Sequence, residues 1–328
     1  EDKYIPPYEI TDEMLELVSE IMENLGKLSG VNELEKLPRL RRVSRIKSIY
    51  SSLAIENNTL SIEQVTDVIN GKRVLAPQKD IEEVHNAFNS YEKLSEINPY
   101  CIDDLLKIHG IMMNGLVKEA GRLRSGQVGV YNQDGKVVHL APPADFVPQQ
   151  LGQLFDWVKN SNANMLIKSS VFHYEFEFIH PFNDGNGRTG RLWQTALLAS
   201  WKPIFAWIPI ESIIKDNQED YYNAITLSTS QGKSNIFIEF MLDVINKAIK
   251  DIITDTRNHY NHINNQITEL MKVIESYPQS ATELMQKLNL KSRVGFRKNY
   301  IGPALDAGLI GMTEPDKPTS KNQKYFKI

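Results

Sequence analysis

The chain has a single cysteine in 328 residues, Cys101, so no disulfide can form within it. That points to a reducing compartment, the cytoplasm. No uninterrupted apolar run of about 18 residues occurs, so no membrane-spanning helix and no membrane partner are expected. The opening stretch, EDKYIPPYEI, has no apolar signal-peptide core. No Cys/His spacing suits zinc, and neither internal repeats nor low-complexity tracts appear. Charge of one sign is also lacking overall: 37 Lys and Arg stand against 41 Asp and Glu, a net −4. What remains is 41% hydrophobic and 24% charged, an ordinary globular composition. The length suggests about two domains.

The near-neutral total hides an uneven distribution. Residues 281–328 carry nine basic and four acidic side chains, a net of +5, which leaves −9 for residues 1–280. An overall charge of −4 therefore excludes nothing about a basic C-terminal module.

Apolar spacing of three and four residues predicts helices through most of the chain. They are expected at 11–29, with Thr11 as N-cap, and from Leu40 to about Asn57. A further helix starts at Thr59 or Ser61 and stops at Gly71. Others are expected at 80–95, 102–118, 146–159, 164–178, 188–201, 218–230 and 234–253. One segment breaks this pattern. In 128–140, Asp134-Gly135 lies between two β-branched runs, the pattern of a β-hairpin. Residues 254–279 read as a polar helical linker. After Ser280 come a short helix, a second helix or helix pair, and a strand pair.

The densest chemistry lies in HPFNDGNGRTGR, residues 180–191. Gly185, Asn186 and Gly187 precede a helical pattern, and a glycine-rich turn feeding a helix N-terminus presents backbone N–H groups to an anion. Arg188 and Arg191 share one face of the first turns, and guanidinium forks match phosphate oxygens. Asp184 is a hard oxygen ligand suited to Mg²⁺. His180 can exchange a proton near neutral pH. A single GNG turn or a lone histidine is unremarkable, but this combination fits phosphoryl or nucleotidyl transfer. His109, His139 and His173 read individually as structural, with His173 packing on the helix face that leads to His180.

HPFNDGNGRTGR resembles the signature of the Fic (filamentation induced by cAMP) family, HPFx[D/E]GNGRxxR, at every specified position. The preceding HYEFEFI resembles that family's approach helix, and the likeness extends over about residues 40–250. The resemblance implies a mainly α fold: a Fic-type helical bundle with a β-hairpin flap. It also implies a protein adenylyltransferase, an enzyme that moves AMP from Mg·ATP to a Ser, Thr or Tyr hydroxyl of a target protein, or of itself. By the same resemblance His180 would be the general base and Asp184 the Mg²⁺ ligand. Gly185, Asn186 and Gly187 would form the anion hole, with Arg188 on the β-phosphate side and Arg191 at the γ-phosphate. Phe182 would anchor the loop and Pro181 would fix its backbone. Family members that phosphorylate carry lysine in place of the second loop glycine, so Gly187 favours AMP transfer. Val138 and His139 would be flap residues near the site. Tyr221 and Tyr222 resemble the pair bordering the adenine pocket.

Upstream, Ser52-Leu53-Ala54-Ile55-Glu56-Asn57 resembles the family's inhibitory pattern [S/T]xxxE[G/N]. Ser52 and Glu56 are four apart, on one helix face. The resemblance implies a pair between Glu56 and Arg191 that displaces the γ-phosphate.

The C-terminal order of helices and strand pair resembles a winged helix. Arg293, Arg297 and Lys298 would lie in its recognition region, and Lys317 and Lys321 on the wing. Both DNA contact and protein docking, including a homodimer, are open to such a module. The expected domains are a helical region at 1–39, a Fic core at 40–250, a linker at 251–279 and a winged helix at 280–328. Two further readings accompany the transferase: removal of AMP from a modified target, with Glu56 placing a water, and a nucleotide-sensing DNA-binding regulator.

Overall fold

The computed structural model describes residues 4–30, 38–131 and 137–328. The chain divides into two compact units, Glu1–Ile253 and Thr254–Ile328.

The first unit is almost wholly helical. Helix α1 (Asp12–Gly30) begins at Thr11, whose hydroxyl accepts the Met14 N–H. Its apolar stripe, Met14, Ile21, Leu25 and Leu28, is buried. The sequence reading placed a helical region at 1–39, ahead of the core. These side chains enter the same hydrophobic cluster as the rest of the unit, since an amphipathic helix needs a surface on which to bury its stripe. Helix α2 (Pro38–Ile55) buries Ile46, Ile49, Leu53 and Ile55 in that cluster.

Helix α3 (Ile62–Ile69) starts with a reciprocal cap, in which Ser61 Oγ accepts the Gln64 N–H and Gln64 Oε1 accepts the Ser61 N–H. Helix α4 (Gln78–Glu92) and helix α5 (Ile102–Met112) follow. The periodicity through residue 118 overshoots the end of α5. Turns follow Met112, and Gly115 takes a left-handed conformation there (φ 72°). Strands β1 (Gly129–Tyr131) and β2 (Val137–Leu140) pair antiparallel, Gly129 opposite Leu140 and Val130 opposite His139. The Asp134-Gly135 turn lies outside the described residues.

Helix α6 (Val147–Asn160) leads to α7 (Met165–Ile179), capped by Asn164, whose Oδ1 accepts the Leu166 N–H. Helix α8 (Asn186–Trp201) packs on α7. Both are buried on nearly every face, so they form the centre of the bundle. Helices α9 (Ile210–Asp216) and α10 (Gln218–Gln231) close the bundle. Polar contacts fix α2 to its neighbours. Ser48 and Tyr91 both donate to the buried Glu211 carboxylate, at 2.8 and 2.6 Å. The Arg45 guanidinium lies over the Trp207 ring, 4.7 Å from its centroid.

The sequence expected a helix over 234–253 followed by a helical linker. Helix α11 runs continuously from Asn235 to Val273, across the boundary between the units. No Gly or Pro interrupts that stretch.

In the second unit, β3 (Gln279–Ser280) precedes α12 (Ala281–Lys287), whose Ser280–Glu283 cap is again reciprocal. Helix α13 (Arg293–Phe296) passes through a π turn at Arg297–Ile301 into α14 (Gly302–Asp306). Strands β4 (Ile310–Met312) and β5 (Lys324–Lys327) complete an antiparallel sheet in the order β3-β5-β4. Leu270, Leu284, Phe296, Ala304, Ile310 and Tyr325 form its core. Among the described residues, no helix is long and apolar enough to cross a membrane.

Candidate active site

The loop between α7 and α8 gathers the reactive residues. His180 ends α7 in the left-handed region (φ 50°), with its N–H bonded to Phe176 O at 2.9 Å. Phe182 is fully buried and stacks on the His109 ring, with centroids 3.6 Å apart and planes 4° from parallel. The Gly121 N–H donates to His109 Nδ1, so the proton of His109 sits on Nε2 and bonds Asp184 O at 2.9 Å. Burial lowers the pKa of His109 to about 4, which keeps the ring neutral in this role. The histidine that sequence reasoning treated as structural thus holds the loop from outside.

Asn186 closes the loop on itself: its Oδ1 accepts the Phe182 N–H at 2.9 Å and its Nδ2 donates to Phe182 O at 2.8 Å. Its side chain is therefore spent within the loop, and anion contacts are left to the backbone. Gly185, in the left-handed region (φ 82°), is the N-cap of α8. The first N–H groups of a helix have no partner inside it, and the helix dipole makes that end positive. The Asp184 side chain is 55% exposed beside this end, and its Oδ1 accepts from the Gly185 N–H (2.6 Å) and Arg188 Nη2 (3.3 Å). No group of three His, Cys, Asp or Glu side chains among the described residues could hold a metal ion. A divalent cation fits here only together with phosphate oxygens, the usual manner of Mg²⁺.

Arg188 is buried and also donates to Glu83 Oε1 at 3.1 Å; its Nε has no hydrogen-bond partner among the described residues. Glu83, on α4, was not singled out in the sequence, since nothing local links it to a position 105 residues away. Arg191 is 2% exposed. Its Nε donates to Ser52 Oγ (3.2 Å), and its Nη2 donates to Ser52 O (3.0 Å) and Glu56 Oε1 (2.8 Å). Burial pushes the Glu56 carboxyl up, but Arg191 and Arg188 outweigh it and hold the group below its ordinary value. Burial likewise opposes the Arg191 charge, yet Glu56 and Tyr221 keep its pKa above the usual value.

Glu56 rests directly over Gly187, where any Cβ would collide with Glu56 Oε1 and Arg191 Nη1. The Glu56 carboxylate thus sits at the positive end of α8. Asn57 follows at φ 64°, so the residue after Glu56 is the left-handed stop of α2. Asparagine and glycine tolerate that conformation best, which gives the last position of the inhibitory pattern a physical reason.

Behind His180 lies a buried polar set. Glu177 Oε2 is 3.9 Å from His180 Nδ1, and burial raises the Glu177 pKa to about 8. His173 is fully buried between Gln194 Oε1 (2.6 Å) and the Tyr221 hydroxyl (3.0 Å), and burial lowers its pKa to about 3. The two tyrosines therefore differ. Tyr221 is 2% exposed with its hydroxyl engaged in the core, whereas Tyr222 packs edge-on beside it and keeps some exposure. Val138 and His139 lie on β2, and only their backbone pairing is described.

Comparison with known proteins identifies the family. The chain is 46% identical to a Fic family protein from Desulfovibrio desulfuricans G20, whose crystal structure it matches over 99% of this chain and 98% of that one, with a TM-score of 0.76. It belongs to the Fic family. A Fic/DOC family model matches residues 99–198 of this Fic protein, and a model of the Fic-like C-terminal domain matches residues 265–326. Protein adenylyltransferase Fic of Nematostella vectensis is 29% identical over 220 residues, 63% of this chain and 48% of that protein. Protein adenylyltransferase fic-1 of Caenorhabditis elegans is 26% identical over 262 residues, 75% and 47% respectively. This Fic chain spans about half the length of those curated relatives.

Proposed function

We propose that this Fic protein is a protein adenylyltransferase that moves AMP from Mg·ATP to a Ser, Thr or Tyr hydroxyl of a target, including its own, with Glu56 as an internal brake. The observation that carries this reading is the seat of the Glu56 carboxylate, bonded to Arg191 over Gly187 at the start of α8. A helix N-terminus flanked by two buried arginines suits phosphate. Here a side chain from the end of α2 fills that place. The curated relatives, which are named protein adenylyltransferases, support the same activity.

In this scheme the target hydroxyl oxygen bonds to the α-phosphorus, the bond to the α–β bridging oxygen breaks, and pyrophosphate leaves. His180 takes the hydroxyl proton. The backbone N–H groups at Asn186 and Gly187 would face the phosphates, that of Gly185 being held by Asp184 Oδ1, while Arg188 binds the β side and Arg191, once free of Glu56, binds the γ-phosphate. Asp184 would hold Mg²⁺, which would supply charge neutralisation to the phosphates when bound. Tyr222 borders the adenine, with Tyr221 supporting it from the core. The edge of the hairpin around Val138 and His139 offers main-chain pairing to the target segment.

Incubation with α-labelled ATP tests the reading. Strong labelling is expected for Glu56→Gly, weaker labelling for the wild type, and none for the Glu56→Gly, His180→Ala double variant. Equal labelling of wild type and Glu56→Gly would remove the brake. Loss of label from a previously adenylylated target, rather than gain, would assign AMP removal instead.

For the second unit we infer a winged helix that contacts DNA. Helical segments lie between β3 and β4 of its three-stranded antiparallel sheet, and Arg293 and Lys298 are exposed. Arg297 Nη2 donates to Pro318 O at 3.1 Å, which ties the helix to the loop bearing Lys317 and Lys321. Salt-dependent retardation of duplex DNA by the full chain, lost in Arg293→Glu, Lys298→Glu, is the expected result. Retardation unaffected by those changes would overturn it.

A further inference from the structure

Arg124 was not singled out in the sequence, yet it makes a dense set of contacts near His180. It is 3% exposed, and its guanidinium donates to four carbonyls. Nε bonds His180 O at 2.7 Å, Nη1 bonds Gly126 O at 2.9 Å, and Nη2 bonds Pro142 O at 2.6 Å and Ile179 O at 3.1 Å. Its own backbone N–H donates to Pro181 O at 2.9 Å. The acceptors come from three segments: the end of α7, the chain entering β1, and the chain leaving β2.

The end of α7 explains why such a group is needed. A helix C-terminus leaves carbonyls without partners. Backbone N–H groups just beyond the end normally close back on them. Here the residue after His180 is Pro181, which has no N–H. His180 itself adopts a left-handed conformation that non-glycine residues take at a cost. The rigid five-donor fork of an arginine can reach several carbonyls at once, which a lysine ammonium cannot. All four acceptors are neutral carbonyls, and burial lowers the pKa of the guanidinium. A cation kept in such a place has a desolvation cost that an apolar filler would avoid.

We propose that Arg124 is a positioning residue that ties the β1–β2 hairpin to His180. It holds the His180 backbone in its left-handed turn and fixes both roots of the hairpin against it. A target segment paired along the hairpin edge is thereby aligned with the imidazole. The proposal rests on the transferase reading of the site. None of the four acceptors belongs to the Asp184–Arg191 stretch, so alignment of the hydroxyl is separable from nucleotide binding.

The test compares Arg124→Met and Arg124→Lys in the Glu56→Gly full-length chain, measuring AMP labelling, Mg·ATP affinity by calorimetry and backbone hydrogen exchange. The Met variant is expected to label about 10- to 100-fold more slowly, the scale set by a small misplacement of a reacting group. The Lys variant should recover part of that rate. Mg·ATP affinity should stay within about twofold. Exchange should rise in β1, β2 and residues 179–181 while α8 stays protected. If the Met variant does not fold, the Lys variant carries the same comparison. Unchanged labelling would overturn the proposal. So would a matching fall in ATP affinity, or exchange rising throughout the first unit. If Glu56→Gly itself takes no label, the transferase reading fails, while the exchange comparison still decides whether Arg124 ties hairpin to loop.

Discussion

Replacing Glu56 by glycine perturbs one contact whose surroundings are fully described. Arg191 is 2% exposed and keeps two other acceptors, Ser52 Oγ and Ser52 O. A hydrogen bond to a charged group contributes about 1.5–3 kcal/mol. The Glu56 side chain is 29% exposed, so solvent screening favours the lower end, about 1.5–2 kcal/mol. In the proposed transferase, the wild-type protein has to break this contact before the γ-phosphate can reach Arg191. The variant should therefore bind Mg·ATP roughly 10- to 30-fold more tightly. Without nucleotide it should melt roughly 3–8 °C lower, because a buried guanidinium has lost its counter-charge. Saturating Mg·ATP should restore most of that loss by returning an anion to the same place. Glu56→Gln, which keeps an acceptor but not the charge, should fall between the two. Calorimetric titration and thermal melting with and without Mg·ATP read these quantities directly. Equal ATP affinity in wild type and variant would refute the reasoning, as would an unchanged melting temperature without nucleotide.

Two further outcomes follow from the same geometry. Gly187→Ala places a methyl group where the Glu56 carboxylate sits, beside Arg191 Nη1, the place proposed for a phosphate, so labelling should stay low even in the Glu56→Gly background; full labelling there would mean that no phosphate group approaches Gly187. Burial raises the Glu177 pKa to about 8, so the folded protein retains a proton that the unfolded chain gives up near its ordinary value of 4.5. This contribution to stability is lost as pH rises from that value towards 8, and the melting temperature of Glu177→Gln relative to wild type should climb across that window; parallel melting curves would exclude it.

The loop at 180–191 was legible because its chemistry is local: one short segment carries histidine, carboxylate, glycines and arginines at fixed spacing. Ser52 and Glu56 were legible for a similar reason, since four residues make one helical turn. Glu83, Arg124 and the loop contact of His109 were not. Each meets its partner only after distant elements pack, and no spacing rule joins Arg124 to His180 or Glu83 to Arg188. Tyr221 and Tyr222 could not be told apart either. Adjacent residues on a helix point in different directions, and only the position of α10 against His173 decides which is enclosed. The helix pattern gave most of the first unit, and the helical linker expected after residue 253 is the continuation of α11 to Val273. The fall in apolar content near residue 250 coincides with the limit between the two compact units, although the helix runs through it.

Helix α2 delivers Glu56 from a body that stays in place. Its inner face is part of the core, and Ser48 is anchored on the buried Glu211. With α2 so anchored, release of Glu56 in the proposed brake would require only the ion pair at the helix end to open. An equilibrium held by about 1.5–2 kcal/mol leaves roughly 3–8% of molecules with that pair open at any moment. Such a protein idles instead of shutting down. It would have a standing background output, a ceiling on how far any activator can raise that output, and the response of a gain control more than of an on–off switch.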